Sequence, residues 1–121
     1  LARRDVPGKE GKSFVPQAGI AAVVQNLLDT IKANMLQQAT TFRDANIHDV
    51  TSYDELKSMM DKEKGGWARV WWAGSSEDEG KIKEETGATV RCIPFEQPGG
   101  TGKCFFTGKE ANMIALFSKA Y

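Results

Sequence analysis

Residues 67–95, WARVWWAGSSEDEGKIKEETGATVRCIPF, decide the fold of this chain. The aromatic and β-branched residues at 67–72 favour a buried strand. A helix is then predicted over Ser76 to Thr86, because Ser75 or Ser76 can cap its acidic first turn and Gly87 can end it. A strand followed by a capped helix predicts the start of a small α/β unit.

Three further strands are predicted after this helix. Their segments are Val90 to Phe95 with Pro94 near the end, Cys104 to Phe106, and Met113 to Phe117. The glycine-rich loop at 97–102 lies between the first two strands and lacks the Gly-x4-Gly-Lys-Ser/Thr pattern of a phosphate-binding loop. The order strand, helix, strand, strand, strand predicts a helix packed on a mixed or antiparallel sheet.

Two helices are predicted upstream of this unit, after a hairpin around an early Pro-Gly turn. Apolar residues recur at helical spacing from Ile20 to about Asn46, which predicts a long helix with its apolar stripe on a core and its back in solvent. Ser52 and Glu55 form a capping box that predicts a shorter helix ending at 65–66. The predicted fold class is therefore α/β (α+β), with a long N-terminal helix followed by a small α/β domain.

The composition is typical of a soluble globular protein. The 121 residues contain 16 Lys and Arg against 16 Asp and Glu, so net charge does not favour a nucleic-acid partner. No apolar run approaches the ~18 residues of a membrane-spanning helix. Cys92 and Cys104 could form a disulfide, but two cysteines without an export signal favour free thiols. Leu1 is not an initiator Met, so we expect a piece of a longer polypeptide.

Four segments, taken in order, resemble the end of prolyl-tRNA synthetases of the archaeal and eukaryotic type, a form that some bacteria also possess. The most specific is 81–95, an uninterrupted stretch that is similar to a signature of that family's C-terminal domain. The other segments are Ala2 to Asp5 with the long helix from Gln17, the Trp72-x-Gly74 element, and 103–109 followed by the terminal 117–121.

The resemblance implies two domains within a larger enzyme. Residues 1–50 are similar to the end of an anticodon-binding domain, and residues 51–121 to the C-terminal domain. The parent would be a class II aminoacyl-tRNA synthetase, a cytoplasmic homodimer that uses ATP and magnesium to attach proline to its tRNA. The family's catalytic motifs lie upstream, so we expect the fragment to be inactive alone and to support the catalytic domain of the same chain.

Many members of this family hold a structural zinc, and the resemblance places the ligand positions at Ala73, Asp78, Cys104 and Thr107. A structural zinc takes four ligands, nearly always Cys or His, and only Cys104 supplies one here. The sole histidine, His48, precedes the predicted domain. We therefore expect a degenerate site without zinc, and an aromatic core beside it in place of the metal. The candidate rings are Trp67, Trp71, Trp72, Phe95, Phe105, Phe106 and Phe117.

Further candidate sites come from the two ends of the chain. The terminal Tyr121 matches a residue whose carboxylate can reach the catalytic cleft in the family, although its ring could equally cap the sheet. Arg3 and Arg4 lie where the anticodon-binding domain would end and could contact tRNA phosphates, although exposed cations usually only solvate a surface. His48 beside Asp49 is more simply a surface histidine than half of a catalytic pair.

Two other functions stay open. The chain could be a stand-alone interaction or RNA-binding module that reuses this domain without the synthetase. A small independent hydrolase or transferase is the weakest alternative, because no nucleophile is accompanied by a base.

Overall fold

A computed structural model describes residues 1–62 and 65–120. Their contacts form two compact units, the first ending at Asp44 and the second beginning at Ala45. Among the residues so described, no helix combines the length and the apolar character needed to cross a membrane.

The first unit consists of an N-terminal hairpin and helix α1 (Ile20–Ala45). The hairpin closes through an antiparallel bridge between Ala2 and Lys12, as the sequence predicted. Helix α1 occupies the predicted range, but none of its 26 residues is buried. The prediction of a stripe packed on a core is therefore wrong for this chain, because the unit contains only the short segment before α1 to cover so long a helix.

The second unit is a mixed four-stranded sheet with two helices and a small separate hairpin. Its elements are β1 (Ile47–Asp49), α2 (Tyr53–Met60), β2 (Trp67–Trp71), α3 (Ser76–Thr86), β3 (Ala88–Cys92), β4 (Gly102–Lys103), β5 (Glu110–Ala111) and β6 (Ile114–Lys119). Strand β1 is parallel to β2, whereas β6 is antiparallel to both β2 and β3, in the order β1-β2-β6-β3. Strands β4 and β5 form the separate hairpin, and the mixed sheet confirms the predicted fold class.

Both helices of this unit begin at the predicted caps. At α3 the Ser75 side chain accepts a hydrogen bond from the Asp78 amide at 3.2 Å, and Gly87 ends the helix with a left-handed φ of 73°. At α2 the Ser52 side chain accepts from the Glu55 amide at 3.3 Å. These local signals fix where each helix starts, but the predicted end of α2 at 65–66 is wrong, because the helix ends at Met60 with Asp61 as its cap.

The hydrophobic core belongs entirely to the second unit within the described chain. Alternate residues of the two central strands, Ala68 and Val70 on β2 and Ala115 and Phe117 on β6, are buried. The residues between them on β2, including Arg69, belong to the opposite face of the sheet. The apolar side chains that complete the core from α2 and α3 are Leu56, Met59, Met60 and Ile82.

Two predicted strands are wrong at their aromatic positions. The segment Cys104 to Phe106 is a turn, in which the Gly108 amide donates to the Cys104 carbonyl at 3.0 Å. The strand predicted to reach Phe95 ends at Cys92, and Phe95 is fully exposed. Aromatic residues favour strands, but closure of the turn overrides that preference in the first case, and Pro94, which lacks an N–H, does so in the second.

The predicted domain boundary at residue 50 does not coincide with the division between the compact units. Strand β1 pairs with β2, so its three residues belong to the second unit. His48, predicted to precede the domain, therefore lies in its sheet opposite Ala68, where it is exposed. The assignment of 1–50 to an anticodon-binding domain and of 51–121 to the C-terminal domain stays a prediction.

Candidate functional site

Three of the four degenerate zinc positions come together around one buried sulfur. The Cys104 side chain is 1% exposed, and its Sγ accepts hydrogen bonds from the Thr107 hydroxyl and from the amides of Thr107, Ala73 and Phe106. Burial raises the pKa of this thiol, but the four hydrogen bonds together outweigh burial and hold the pKa below its ordinary value. The sulfur therefore lies among hydrogen-bond donors.

The fourth position, Asp78, is already used by the fold. Its carboxylate accepts from the Ser75 amide at 2.9 Å and from the Ser75 hydroxyl at 3.0 Å, which completes the cap of α3. These two bonds lower the pKa of Asp78, and the nearby charges of Lys81 and Lys109 lower it further. The carboxylate is thus held as an anion that stabilises the start of a helix.

These four positions do not fit a structural zinc ion. Ala73 has no donor atom in its side chain, the Thr107 hydroxyl donates to sulfur, and the Asp78 carboxylate serves as a cap. A tetrahedral zinc site takes four ligands, nearly always thiolates or imidazoles. Among residues 1–62 and 65–120, no group of three or more His, Cys, Asp or Glu side chains is placed to hold a metal. Both cysteines are free thiols, with Cys92 exposed.

Aromatic rings pack directly beside the Cys104 turn. The centroid of the Phe117 ring lies 5.1 Å from that of Trp72 and 5.4 Å from that of Phe105, and the ring planes meet edge to face at 69° and 68°. All three side chains are buried, and Trp72 and Phe105 adjoin Ala73 and Cys104 in the sequence. The predicted aromatic core is therefore confirmed for these three rings.

The remaining candidate rings divide between the edge of the core and its outside. Trp71 and Phe106 are partly buried against it, whereas Trp67 is 38% exposed and Phe95 is fully exposed, so the prediction is wrong for the last two. Tyr53, which the sequence did not single out, packs its ring edge-on against Phe106 at 4.9 Å.

Tyr53 also ties α2 to α3. Its hydroxyl donates to the Glu85 carboxylate at 3.1 Å, and Lys57 pairs with the same carboxylate at 2.7 Å. Burial, followed by the bond to Glu85, raises the pKa of Tyr53 to about 12. These contacts hold the helices beside the aromatic cluster and carry no sign of catalysis.

A protein-family comparison identifies this arrangement. The model of the family described as "Prolyl-tRNA synthetase, C-terminal" matches residues 53–121, which include the Cys104 turn and the rings. The chain belongs to this family. The resemblance seen in the sequence is thereby confirmed.

Longer relatives match the whole of this chain, and not only the residues 53–121 that the prolyl-tRNA synthetase family model covers. A "Proline--tRNA ligase" from Chloroflexus aurantiacus is 52% identical over 121 residues, which cover 100% of this chain and 25% of the relative. The "Proline--tRNA ligase, chloroplastic/mitochondrial" of Arabidopsis thaliana is 48% identical over 124 residues and is covered over 22% of its length. The chain thus spans about a quarter of the length of these curated relatives.

A solved structure agrees with the fold. A prolyl-tRNA synthetase from Cryptosporidium parvum, crystallised with L-proline and AMP, superposes with a TM-score of 0.79. The match covers 88% of this chain and 23% of that one at 24% identity, so it supports the fold alone.

Arg3 and Arg4, the two basic residues near the N-terminus, lie in different environments. The Arg3 guanidinium donates to both carboxylate oxygens of Asp5, at 3.1 and 2.6 Å, and Asn34 of α1 donates to the same carboxylate at 2.6 Å. The Asp5 side chain is fully buried, and the bond from Arg3, followed by that from Asn34, lowers its pKa to about 2. Arg4 is exposed, so it is the freer of the two to contact an anion.

Tyr121, the other candidate site residue at an end of the chain, lies outside the described residues.

Proposed function

We propose that this chain is the C-terminal part of a proline–tRNA ligase, which attaches proline to its tRNA with ATP and magnesium. The observation that carries the proposal is the 52% identity to such a ligase along all 121 residues. The chain corresponds to 25% of the length of that ligase, and it contributes support to a catalytic domain elsewhere in the polypeptide. The parent acts in the cytoplasm as a homodimer.

Aminoacylation of purified tRNA by the full-length gene product tests this proposal. The full-length protein should charge proline tRNA with radiolabelled proline when ATP and magnesium are present, and the chain of residues 1–121 alone should give background counts. Charging by the short chain, or charging with a different amino acid, would refute the assignment.

We further propose that the second unit folds without zinc. A structural zinc requires four ligands, but only the Cys104 thiol is offered, because the Asp78 carboxylate already caps α3 and the Thr107 hydroxyl donates to the sulfur. The neighbouring buried rings supply packing in place of the metal. Support from packing in place of a metal predicts that a chelator has no effect on stability.

Arg4 is the side chain that we propose contacts tRNA near the start of the chain. Because Arg3 is paired with Asp5, a substitution there would disturb the hairpin as well as any phosphate contact. In the full-length enzyme, Arg4→Ala should reduce the slope of log affinity for tRNA against log salt by about one unit for one lost phosphate contact. Lys83→Ala, at an exposed position of α3, should leave the slope unchanged, and an equal slope in both variants would contradict the contact.

The carboxylate of Tyr121 is proposed to support the active site of the full-length enzyme. Deletion of Tyr121 should slow proline-dependent exchange of pyrophosphate into ATP, whereas Tyr121→Phe, which keeps the terminal carboxylate, should retain the activity. Loss of activity in both variants would indicate that the phenol hydroxyl matters and contradict a role of the carboxylate alone, and no loss in either would refute any role.

A further inference from the structure

Asp5 is a buried carboxylate on the short hairpin that precedes α1. Its side chain has no exposed surface, although it belongs to the unit whose long helix buries no residue. The Arg3 guanidinium donates to both of its oxygens, and the Asn34 side chain of α1 donates to one of them at 2.6 Å. Burial of a charge is costly unless its partners surround it, so these three hydrogen bonds form a specific arrangement. Asp5 is the point at which the hairpin is tied to α1.

The backbone of the hairpin packs closely around this carboxylate. Ala2 forms an antiparallel bridge with Lys12, and the Arg3 amide donates to the carbonyl of residue 11 at 2.7 Å. A Cβ at Gly11 would lie 2.3 Å from the Val6 carbonyl oxygen and 3.0 Å from that of Arg3, so the loop closes directly on the glycine backbone. Because an isolated two-stranded hairpin is only marginally stable in water, its conformation depends on the tie to α1.

Arg4 lies between the two members of this ion pair in the sequence, and it is exposed. The side chains of Arg3 and Asp5, on either side of it, meet at 2.6 Å, which fixes the backbone that carries Arg4. A long basic side chain loses conformational entropy when it binds a phosphate, and a backbone that is fixed beforehand reduces the total cost of ordering. The arrangement therefore suits the presentation of one cation to an anion.

We propose that Asp5 is a positioning residue for tRNA binding, which holds Arg4 toward a phosphate by tying the hairpin to Asn34. The inference rests on the proposed contact between Arg4 and tRNA, and therefore on the proposed function. Asp5 does not touch the RNA, since its charge is satisfied within the protein. A negatively charged residue thus favours the binding of a polyanion, which is the opposite of what its charge alone predicts.

The sign of the change in tRNA affinity on Asp5→Asn tests the proposal. The substitution removes a negative charge and releases the Arg3 guanidinium, so electrostatics alone predicts tighter binding to tRNA. Loss of positioning predicts the reverse. We expect the full-length protein to bind proline tRNA about fivefold more weakly, in line with the cost of ordering one long side chain. Fluorescence anisotropy of labelled tRNA at a fixed salt concentration measures the affinity.

Coupling to Arg4 separates positioning from a general loss of structure. In an Arg4→Ala background, Asp5→Asn should change the affinity by less than about twofold, because the side chain that it positions is absent. Asn34→Ala is a milder variant, since it keeps the pair between Arg3 and Asp5 and removes only the bond from α1. It should weaken tRNA binding in the same direction, and again only when Arg4 is present.

Asp44→Asn is the matched control, because it also removes a carboxylate that is paired with an arginine, but at an exposed position, and it should not weaken binding. Unchanged or tighter binding by Asp5→Asn would overturn the proposal. An equal loss with and without Arg4, or an equal loss in Asp44→Asn, would overturn it as well. If these results come from a protein that still charges tRNA with proline, the proposed function stands without the positioning role, whereas absence of charging would refute both.

Discussion

The two compact units use their helices in opposite ways. Helix α1 of the first unit has 26 residues and buries none of them, whereas the 8 residues of α2 and the 11 of α3 each bury part of one face in the core of the second unit. An isolated helix is only marginally stable in water, so length alone does not stabilise α1. The second unit therefore buries the apolar faces of its own helices, whereas the first unit leaves those of α1 unburied.

The largest expected effect comes from removing the ring at the centre of the second unit. Phe117→Ala deletes a fully buried side chain that contacts Trp72 and Phe105, and should lower the free energy of unfolding by ~3–5 kcal/mol. Urea denaturation monitored by tryptophan fluorescence measures it. Phe95→Ala is the matched control at a fully exposed position and should stay within about 0.5 kcal/mol of the parent chain. Similar losses in both would place the core elsewhere.

A smaller effect distinguishes two glycines within the second unit. A Cβ at Gly74 would lie 2.1 Å from the rigid Trp72 ring, so Gly74→Ala should destabilise the chain by ~1–3 kcal/mol through overpacking. Gly80 lies within α3, and its added Cβ would meet nothing within 4 Å beyond its chain neighbours and the backbone of its own helix, so Gly80→Ala should stabilise by roughly 0.5–1 kcal/mol. Thermal unfolding followed by circular dichroism should show shifts of opposite sign, and a common sign would contradict the packing described.

The first unit should show its own dependence on acid. Because the folded pKa of Asp5 is lowered to about 2, its contribution to stability is present above the unfolded value near ~4 and is lost as the pH falls through the folded pKa. Amide exchange of the hairpin should therefore accelerate as the pH falls between about 4 and 2, after correction for intrinsic rates. Asp5→Asn should remove that dependence, and Asp44→Asn, at an exposed carboxylate, should preserve it.

The smallest effect is expected on the uncovered face of α1. Leu36 is 66% exposed, so Leu36→Ser should change the stability of the 121-residue chain by no more than about 0.5 kcal/mol. Denaturant titration followed by far-ultraviolet circular dichroism, to which α1 contributes as the longest of the three described helices, would detect a larger loss. A loss above 1 kcal/mol would show that this face is already covered, and would remove the contrast between the units.

Local sequence signals predicted the parts of the fold that depend on neighbouring residues. The Ser75 and Ser52 caps and the Gly87 stop are each complete within a few residues, so the starts of α2 and α3 and the end of α3 could be predicted. Phe95 and Phe117 are the same residue type in apolar segments, yet one is in water and the other at the core centre. Phe117 is buried because its strand, β6, pairs with β2 and β3, and these strands lie far from it in the sequence.

The candidate site shows the same limit. The resemblance placed Ala73, Cys104 and Thr107 together. The donors that surround the Cys104 sulfur are mainly backbone amides, however, and a pattern of side chains in the sequence does not predict them. The pairing of Arg3 with Asp5, and the reach of Asn34 to the same carboxylate, depend on how the hairpin meets α1. Sequence alone therefore indicated two equivalent arginines where the structure has one paired and one exposed.

The metal content and chelator response of the purified chain test most directly whether packed rings hold the second unit together. The account predicts substoichiometric zinc by mass spectrometry and the same urea midpoint with and without a strong chelator. One zinc per chain, with loss of the folded state when a chelator removes it, would contradict the account.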